Sequence, residues 1–327
     1  MPFDPFETRR LGGTGIEIPR LGLGTAPLGG WPDSIDHETG IATVRRAWGR
    51  GIRYFDTAPF YGSGQAELLL SEALADVPRH SLRHSTKTGR RLVAGAEPAP
   101  FFKGARPFHA VFDFSADGVE CSIRESRQRL GLGKPDIVFI HDPDAHQPEV
   151  IGRALPRLRR MRDAGEFAAL GVGMGSVAPL IRFAEEADFD VFLLAGRYTL
   201  LDQSALDRLL PLAQERNIAI IAGGVYNSGL LIAPEEGAMF DYAPANGAIV
   251  EKARALDATC RDFSVPLRAA ALQFAAAHPA VTSVVIGARS PEEVDDTLAI
   301  ARLAIPADLW RALKSRGLVR DDAPVPA

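Results

Sequence analysis

A short apolar run followed by titratable side chains stands in the stretch Ile52-Arg53-Tyr54-Phe55-Asp56-Thr57-Ala58-Pro59-Phe60-Tyr61. Its first four residues are typical of a buried strand, and Asp56 and Tyr61 follow the strand's end. Lys87 and His141 each follow a later apolar run in the same way. In a parallel α/β barrel the carboxyl ends of the strands meet at one face, where catalytic residues collect. The pattern therefore predicts one active site that contains these four titratable residues.

Short apolar runs alternate with longer helical patterns along the whole chain. The predicted strands cover residues 21–24, 52–55, 85–86, 137–140, 170–173, 191–194, 218–221 and 283–286. The predicted helices, in which apolar residues recur at spacings of three and four, cover residues 37–50, 65–74, 116–130, 148–164, 177–187, 203–216, 247–263 with 266–278, and 291–303. This alternation predicts one (β/α)8 TIM barrel domain over residues 1–327.

Four further segments do not belong to the repeating pattern. Residues 10–19 contain a glycine-rich turn between two short runs, which predicts a β-hairpin that closes the barrel floor. Residues 90–115 and 223–248 are long and irregular, and such loops often bind ligands or act as lids. The tail after Leu318 is predicted to be loose.

Composition and charge limit the class of protein. The chain has 327 residues, of which 46% are hydrophobic and 24% charged, as in soluble globular proteins. A net charge of -4 offers no basic surface for nucleic acid. Cys121 and Cys260 are too few for a disulfide framework or a zinc site, so we expect a reducing cytoplasm and no metal. We find neither an export signal nor a membrane span of about 18 apolar residues.

Three motifs carry a resemblance to a known family. They are Phe55-Asp56-Thr57-Ala58-Pro59-Phe60-Tyr61-Gly62, Ser85-Thr86-Lys87 and Ile140-His141-Asp142. Together they resemble the aldo-keto reductase superfamily, over residues 11–303. The resemblance implies a barrel that binds NAD or NADP without a Rossmann domain. Consistently, no Gly-x-Gly-x-x-Gly motif joins a predicted strand to a helix.

The residue types fit hydride transfer between a carbonyl compound and a nicotinamide. A proton must move to or from the carbonyl oxygen, and we assign Tyr61 as the general acid or base. A tyrosine can serve only if its pKa of about 10 falls toward neutrality. Lys87 would stabilise the phenolate, Asp56 would keep Lys87 charged, and His141 would orient the substrate oxygen.

The resemblance also implies where the cofactor binds, chiefly in the loops after strands seven and eight. The residues implied are Gly24, Thr25, Ser176, Gly223, Gly224, Val225, Gly229, Ile286, Gly287, Arg289, Glu293, Asp296 and Thr297. Glycines in these loops allow backbone N–H groups to approach phosphates, and Pro291 is suited to open a helix whose N-terminus favours anions.

The chain departs from the family pattern at three of its cofactor positions. Ala195 stands where many relatives have a glutamine for the nicotinamide amide, and Gly223 where many have a stacking aromatic residue. This leaves Ser176 as a weak substitute for the amide contact. Glu293 stands where NADP-preferring relatives often have an arginine, and a carboxylate there would repel a 2′-phosphate. We therefore expect a preference for NAD, although Arg289 could still bind a phosphate.

Within the superfamily, two segments are most similar to the bacterial aldose 1-dehydrogenases, which include L-fucose and D-threo-aldose dehydrogenases. The segments are residues 195–203 and 224–229. This similarity implies oxidation of a sugar hemiacetal at C1 to a lactone. A pyridoxal 4-dehydrogenase-like branch is also similar. Trp31, Phe60, Tyr226 and the phenylalanines of residues 90–115 are candidate walls of the substrate pocket.

Other functional classes stay open. A general aldehyde or ketone reductase would use the same four residues. A Schiff-base lyase would use Lys87 as a nucleophile, but a neighbouring Asp56 raises a lysine pKa and disfavours it. A non-catalytic binding protein with the same fold is the third class. We expect a small-molecule aldose or aldehyde as the partner, and a monomer or small homo-oligomer.

Overall fold

Eight parallel strands close into a barrel in the structure, a computed structural model that describes residues 3–95 and 102–326. In chain order the strands are β1 (Thr8–Arg10), β2 (Glu17–Pro19), β3 (Leu21–Gly24), β4 (Tyr54–Asp56), β5 (Arg83–Thr88), β6 (Arg90–Ala94), β7 (Phe108–Phe112), β8 (Ile137–His141), β9 (Ala169–Met174), β10 (Val191–Ala195), β11 (Ala219–Gly223), β12 (Met239–Phe240), β13 (Ala243–Pro244) and β14 (Val281–Gly287). The barrel order is β3-β4-β5-β8-β9-β10-β11-β14, and β14 pairs with β3 to close it. The predicted (β/α)8 barrel and its eight strands are confirmed.

Helices cover the outside of this barrel. They are α1 (His37–Gly49), α2 (Gln65–Ala73), α3 (Ala116–Leu130), α4 (Gln147–Glu149), α5 (Leu155–Asp163), α6 (Val177–Glu186), α7 (Leu209–Glu215), α8 (Gly247–Asp262), α9 (Leu267–Ala277), α10 (Pro291–Ala301) and α11 (Ala307–Ser315). The helix predicted over residues 148–164 is divided by a π-helical segment, Val150–Ala154. The helix predicted over residues 203–216 consists of a 3-10 turn, Ser204–Leu206, and α7. No helix in the described ranges is both long and apolar enough to cross a membrane.

The predicted hairpin at the barrel floor is present. β1 and β2 pair antiparallel, with Arg9 opposite Ile18. Leu11 and Ile18 are fully buried against the side chains that fill the barrel, including Phe139 and Ile221. The barrel axis is therefore a packed core closed from below, so a ligand must approach from the opposite face.

The segment 90–115 is more regular than its sequence indicated. β6 and β7 form an antiparallel hairpin in which Arg90 pairs with Phe112. The prediction of an irregular loop is wrong here, because the two arms pair over five residues each and satisfy each other's backbone groups. Phe101, one of the predicted pocket residues, lies outside the described residues. Residues 223–248 also contain a short hairpin, β12–β13, within an otherwise irregular loop.

The C-terminal tail packs against the barrel, so the prediction that it is loose is wrong. Val319 and Ala323 are almost fully buried, and both belong to the main core. The backbone N–H of Arg320 donates to the Gln203 side chain, and Lys314 donates to the Asp321 carbonyl. Burial of apolar side chains together with satisfied backbone groups fixes this segment.

Candidate active site

Three neighbouring strands hold the four predicted catalytic residues. Asp56 ends β4, Lys87 lies near the end of β5, His141 ends β8, and Tyr61 lies in the loop after β4. Asp56, Lys87 and His141 are 2%, 1% and 6% exposed. The barrel therefore brings together residues that are up to 85 positions apart in sequence, from Asp56 to His141 (141 − 56).

Asp56 and Lys87 form a buried ion pair. Lys87 Nζ lies 2.6 Å from Asp56 Oδ2 and donates a second hydrogen bond to the Thr57 carbonyl at 2.9 Å. Ser85 Oγ donates to the other carboxylate oxygen, Asp56 Oδ1, at 2.6 Å. Tyr54, deep in the barrel, completes the chain with a hydroxyl 2.9 Å from Ser85 Oγ. A buried ion pair is stable only when its remaining polar atoms are hydrogen bonded, which this network achieves.

Sequence reasoning did not identify Ser85 and Tyr54 as members of the site. The strand period would have identified Ser85, because residues two apart in a strand share a face, and Ser85 and Lys87 are two apart in β5. Thr86, between them, points the other way and donates to Glu67 on α2. The alternation of β5 therefore assigns two side chains to the catalytic network and one to the packing of a helix.

Two glycines allow the loop that carries Tyr61 to pack closely against the loop after β3. A Cβ on Gly29 would lie 2.6 Å from both the Tyr61 carbonyl carbon and the Gly62 nitrogen. A Cβ on Gly62, whose φ is +60°, would lie 2.6 Å from the Gly29 oxygen. Only glycine tolerates such an approach, so these residues fix the position of the Tyr61 backbone.

The Tyr61 ring lies close to both the Lys87 ammonium group and the His141 imidazole. Lys87 Nζ is 4.9 Å from the Tyr61 ring centroid. The His141 ring centroid is 5.9 Å from that of Tyr61, and the two rings are nearly perpendicular at 89°. Within the described residues the Tyr61 hydroxyl is not hydrogen bonded to Lys87, whose N–H groups are directed to Asp56 and Thr57.

The pKa of Tyr61 differs from the expectation. Burial raises this pKa well above its ordinary value of 10.0, and the negative charge of Asp56 raises it further. This direction is opposite to the shift that the sequence led us to expect from Lys87, and the positive charge that acts to lower the pKa is that of Arg90. Tyr61 is therefore a phenol that can donate a proton at neutral pH.

His141 is held as a neutral imidazole. Burial lowers its pKa well below the ordinary value of 6.5, and the charges of Arg90 and Lys87 lower it further. Its Nε2 atom lies 3.6 Å from Asp142 Oδ2, too far for a hydrogen bond. Nδ1 is buried and has no hydrogen-bond partner among the described residues. The imidazole thus retains both a donor and an acceptor for a ligand.

Aromatic side chains surround the mouth of the barrel above these residues. Phe60 contacts His141, with ring centroids 5.9 Å apart, and Phe102 at 5.3 Å. Trp31, in the loop after β3, meets Tyr242, at the tip of the β12–β13 hairpin, with ring centroids 5.1 Å apart. Loops after the first, second, third and seventh barrel strands therefore contribute rings to one mouth. Phe60 and Trp31 occupy places consistent with the predicted pocket walls.

Residues 20–316 match the model of the aldo/keto reductase family. The chain belongs to the aldo/keto reductase family. The chain is therefore an NAD(P)-dependent oxidoreductase. The assignment of its four titratable residues to the active site stays a prediction, with which their positions at adjacent strand ends are consistent.

Two relatives of known activity align with this aldo/keto reductase over most of their length. It is 40% identical to pyridoxal 4-dehydrogenase of Microbacterium luteolum, over 96% of this chain and 98% of the relative. It is 36% identical to D-threo-aldose 1-dehydrogenase of a Pseudomonas species, over 93% of this chain and 96% of the relative. A solved aldo-keto reductase from Bacillus halodurans, in its holo form, has the same fold with a TM-score of 0.77 and 21% identity, covering 98% of each chain.

Members of the family use NAD(P)H, and the loop after β11 suits the phosphates of such a cofactor. Gly224, Asn227, Ser228 and Gly229 all have positive φ values. Such turns can point successive backbone N–H groups at an anion. The Asn227 Oδ1 atom is buried and has no partner among the described residues, and a Cβ on Gly229 would meet open space. These observations fit a loop that is completed by a ligand.

The start of α10 is the second cofactor segment. Ser290 caps this helix by accepting a hydrogen bond from the Glu293 N–H. Arg289 donates to the Glu293 carboxylate from its backbone and its guanidinium, at 2.8 Å in each case. Asp296 accepts a hydrogen bond from Arg268, also at 2.8 Å. Glu293 and Asp296 therefore each hold an arginine that could otherwise meet a phosphate.

The other predicted cofactor residues lie at several different places in the barrel. Gly24 pairs with Asp56, and Thr25 donates to the Asp56 carbonyl, so both support the catalytic strand. Ser176 immediately precedes α6 and makes no capping hydrogen bond. A Cβ on Gly287 would lie 2.5 Å from Pro27, and Gly223 faces Leu193.

Three of the predicted cofactor residues lie at packing positions. Val225 is 1% exposed and belongs to the main core. Ile286 and Thr297 line one cavity of about 20 Å³ between β14 and α10. The Ile286 side chain faces the covering helix because β14 alternates between the two sides of the sheet, and Thr297 lies on that helix. All three side chains therefore contribute to packing, and their predicted cofactor contact stays a prediction.

The placement of Tyr226 argues against its prediction as a wall of the substrate pocket. Its ring packs against the main core, and the charges that act on its phenol are those of Arg268 and Asp296. Burial raises the pKa of this phenol, and the hydroxyl has no partner among the described residues. Tyr226 thus lies toward α9 and α10, the side that carries the second cofactor segment.

Proposed function

We propose that this protein oxidises a cyclic hemiacetal to the lactone with NAD as the hydride acceptor, and that the hemiacetal is formed by a sugar of the L-fucose or D-threo-aldose type or by pyridoxal. The observation that carries the proposal is the buried Lys87–Asp56 ion pair beside the Tyr61 ring, with His141 perpendicular to the same ring. This arrangement combines a proton donor or acceptor with a fixed cation and a neutral hydrogen-bonding imidazole.

The reaction balances with the groups available. When bound, the nicotinamide cofactor supplies the hydride acceptor. The hemiacetal carbon loses its C–H bond as a hydride, its O–H proton passes to Tyr61, and the C–O bond becomes the lactone carbonyl. In the reverse direction the Tyr61 phenol protonates the carbonyl oxygen. Proton transfer by a positioned side chain accelerates reactions by about 10²–10⁴-fold.

Each residue has a defined task in this scheme. As the base, Tyr61 must be a phenolate, and Lys87, 4.9 Å from its ring, stabilises that charge. Asp56 and the Thr57 carbonyl fix the direction of the ammonium group. His141 is neutral, so it donates an N–H to the reacting oxygen without competing for the Tyr61 proton.

Pyridoxal is the second candidate substrate. One named relative is a pyridoxal 4-dehydrogenase and another a D-threo-aldose 1-dehydrogenase. Both aldehydes close on a hydroxyl of the same molecule to form a cyclic hemiacetal, so one arrangement of base and orienting residue serves both. The aromatic rings at the mouth, including Phe60 and Trp31, favour a flat ligand.

The ion pair weighs against the other functional classes. A Schiff-base lyase needs an unprotonated amine, whereas Lys87 Nζ is held by a carboxylate and a carbonyl oxygen. A protein that only binds cofactor has no need of a buried, fully hydrogen-bonded cation beside a tyrosine. Such an ion pair costs desolvation energy, and catalysis gives a reason to retain it.

The preference for NAD rests on Glu293. Its carboxylate occupies the N–H groups of Arg289, so a 2′-phosphate would have to displace it and meet its negative charge. A ribose hydroxyl, by contrast, can donate to a carboxylate.

The test is the absorbance of the reduced nicotinamide while the purified protein is offered L-fucose, other aldoses and pyridoxal, with NAD and NADP in parallel. We expect signal with NAD and at least one hemiacetal, and a lactone that hydroxylamine traps as the hydroxamate. Reduction of open-chain aldehydes with no oxidation of any hemiacetal would contradict the proposal.

A further inference from the structure

Arg90 is a largely buried cation beside the catalytic imidazole. It lies three residues after Lys87, at the start of β6, and its side chain is 17% exposed. Its Nη2 atom is 2.7 Å from Asp142 Oδ2, and the same oxygen is 3.6 Å from His141 Nε2. A single carboxylate oxygen therefore separates the guanidinium from the residue that orients the reacting oxygen.

Two aromatic rings hold the guanidinium in place. Its central carbon lies 4.3 Å from the Phe60 ring centroid and 4.7 Å from that of Phe112. Phe60 in turn contacts the His141 ring. Cation–π contacts of this kind fix an arginine without using its N–H groups. Arg90 is thus part of the wall of the catalytic mouth.

Most of the hydrogen-bonding capacity of Arg90 is unused. A guanidinium has five N–H donors, and within the described ranges Arg90 donates only to Asp142. Its Nε atom is buried and has no partner in that part of the chain. Buried donors are normally satisfied, because an unsatisfied one costs about 1–3 kcal/mol. The Nη1 N–H groups, which donate to none of the described residues, therefore indicate a position for a ligand.

We propose that Arg90 binds an ionised oxygen next to the reacting carbon of the substrate, and so favours pyridoxal over sugars of the L-fucose type. This inference rests on the proposed hemiacetal oxidation and decides between its two candidate substrates. In pyridoxal the phenolate oxygen sits on the ring carbon adjacent to the one that bears the reacting carbon. In a sugar the neighbouring oxygen is a neutral hydroxyl.

The neighbouring charges suit such a ligand. A hydrogen bond to an ionised oxygen is roughly twice as strong as one between neutral groups. Asp142, whose pKa is raised by burial, lies on one side of the guanidinium, and the ring faces of Phe60 and Phe112 bound the rest. A flat heteroaromatic ring with an ionised oxygen fits this setting better than a polyhydroxylated ring, which needs many hydrogen-bonding side chains.

The experiment compares three substrates across four forms of the full-length protein with NAD. The substrates are pyridoxal, 3-O-methylpyridoxal, which forms the hemiacetal but cannot ionise at that oxygen, and L-fucose. The proteins are the wild type, Arg90→Gln, Arg90→Lys and Asp142→Asn. We expect Arg90→Gln to lower kcat/KM for pyridoxal by about 10- to 100-fold, and for the other two by less than about threefold. Arg90→Lys should recover part of the loss.

The matched variant separates binding from structural support. If Arg90 served only to hold Asp142, then Asp142→Asn and Arg90→Gln would lower activity alike on all three substrates, and the inference would be overturned. We expect Asp142→Asn to retain the preference for pyridoxal over its methyl ether. Thermal unfolding of each variant shows whether the fold is intact.

If the proposed function is wrong, the experiment gives a different result. In that case the wild type oxidises none of the three substrates. Binding of pyridoxal to the protein saturated with NADH, followed by the absorbance of its phenolate, then tests Arg90 directly. About tenfold weaker binding to Arg90→Gln than to the wild type supports the inference, whereas equal affinity overturns it.

Discussion

Lys87 Nζ lies 2.6 Å from Asp56 Oδ2 in the interior of the barrel, and neither side chain has more than 3% of its surface exposed. Each charge is uncompensated without the other, because the surrounding strands and the packed core exclude water. The pair is therefore both a structural constraint and the source of the positive charge beside Tyr61.

Removal of one partner should destabilise the protein more than removal of both. Asp56→Asn leaves a buried ammonium without a counter-ion, and we expect it to lower the free energy of unfolding by about 3–5 kcal/mol. The double variant Asp56→Asn with Lys87→Met should lose less. Urea unfolding of the two single variants and the double variant measures this coupling, and simple additivity would contradict it.

Tyr61→Phe should lower kcat by about 10²–10⁴-fold in both directions, because the variant has no proton to donate or accept. The dissociation constant for the cofactor should change little. Tyr198→Phe is the matched control, since Tyr198 is also buried and its hydroxyl has no partner among the described residues. Similar losses in the two variants would show that the effect at residue 61 is structural.

The two reaction directions should differ in pH dependence. Oxidation needs the Tyr61 phenolate, and burial raises the pKa of Tyr61 well above 10.0, so kcat for oxidation should still be rising at pH 10.0. Reduction needs the phenol, so its kcat should not fall as the pH rises from 7 toward that value. Stopped-flow rates of the chemical step in each direction check this. A plateau of the oxidation rate near pH 7 would contradict the raised pKa.

On the acid side, His141 should not limit the rate near neutrality. Burial lowers its pKa well below 6.5, so the imidazole stays neutral as the pH falls through that value. The same stopped-flow series extended below pH 6.5 should therefore show no step that His141→Gln removes.

Cofactor preference should depend on Glu293. Glu293→Gln removes the charge that holds Arg289, and we expect the ratio of kcat/KM for NADP to that for NAD to rise by about tenfold, with a larger rise in Glu293→Arg. Glu292→Gln is the control, because it makes the same charge change in the same helical turn without a bond to Arg289. An equal shift in Glu292→Gln would assign the effect to the helix terminus alone.

The sequence by itself determined the barrel and the convergence of its four predicted catalytic residues at one face. Apolar runs of strand length alternate with segments of helical periodicity, and both bury their apolar surfaces when the strands form a parallel barrel covered by the helices. The strand ends then meet at one face. Because Asp56, Lys87 and His141 each occupy a strand end, their convergence followed from local pattern.

Tertiary structure alone decided the properties that depend on neighbours distant in sequence. The direction of the Tyr61 pKa shift follows from burial and from Asp56, which the local sequence of Tyr61 does not specify. The tail after Leu318 is rich in polar residues and proline, yet Val319 packs into the main hydrophobic core, whose other members are mostly distant in sequence. Arg90 gained its place beside His141 only because a hairpin folds back over the mouth. Charges and apolar contacts act through space, so these features depend on the assembled barrel.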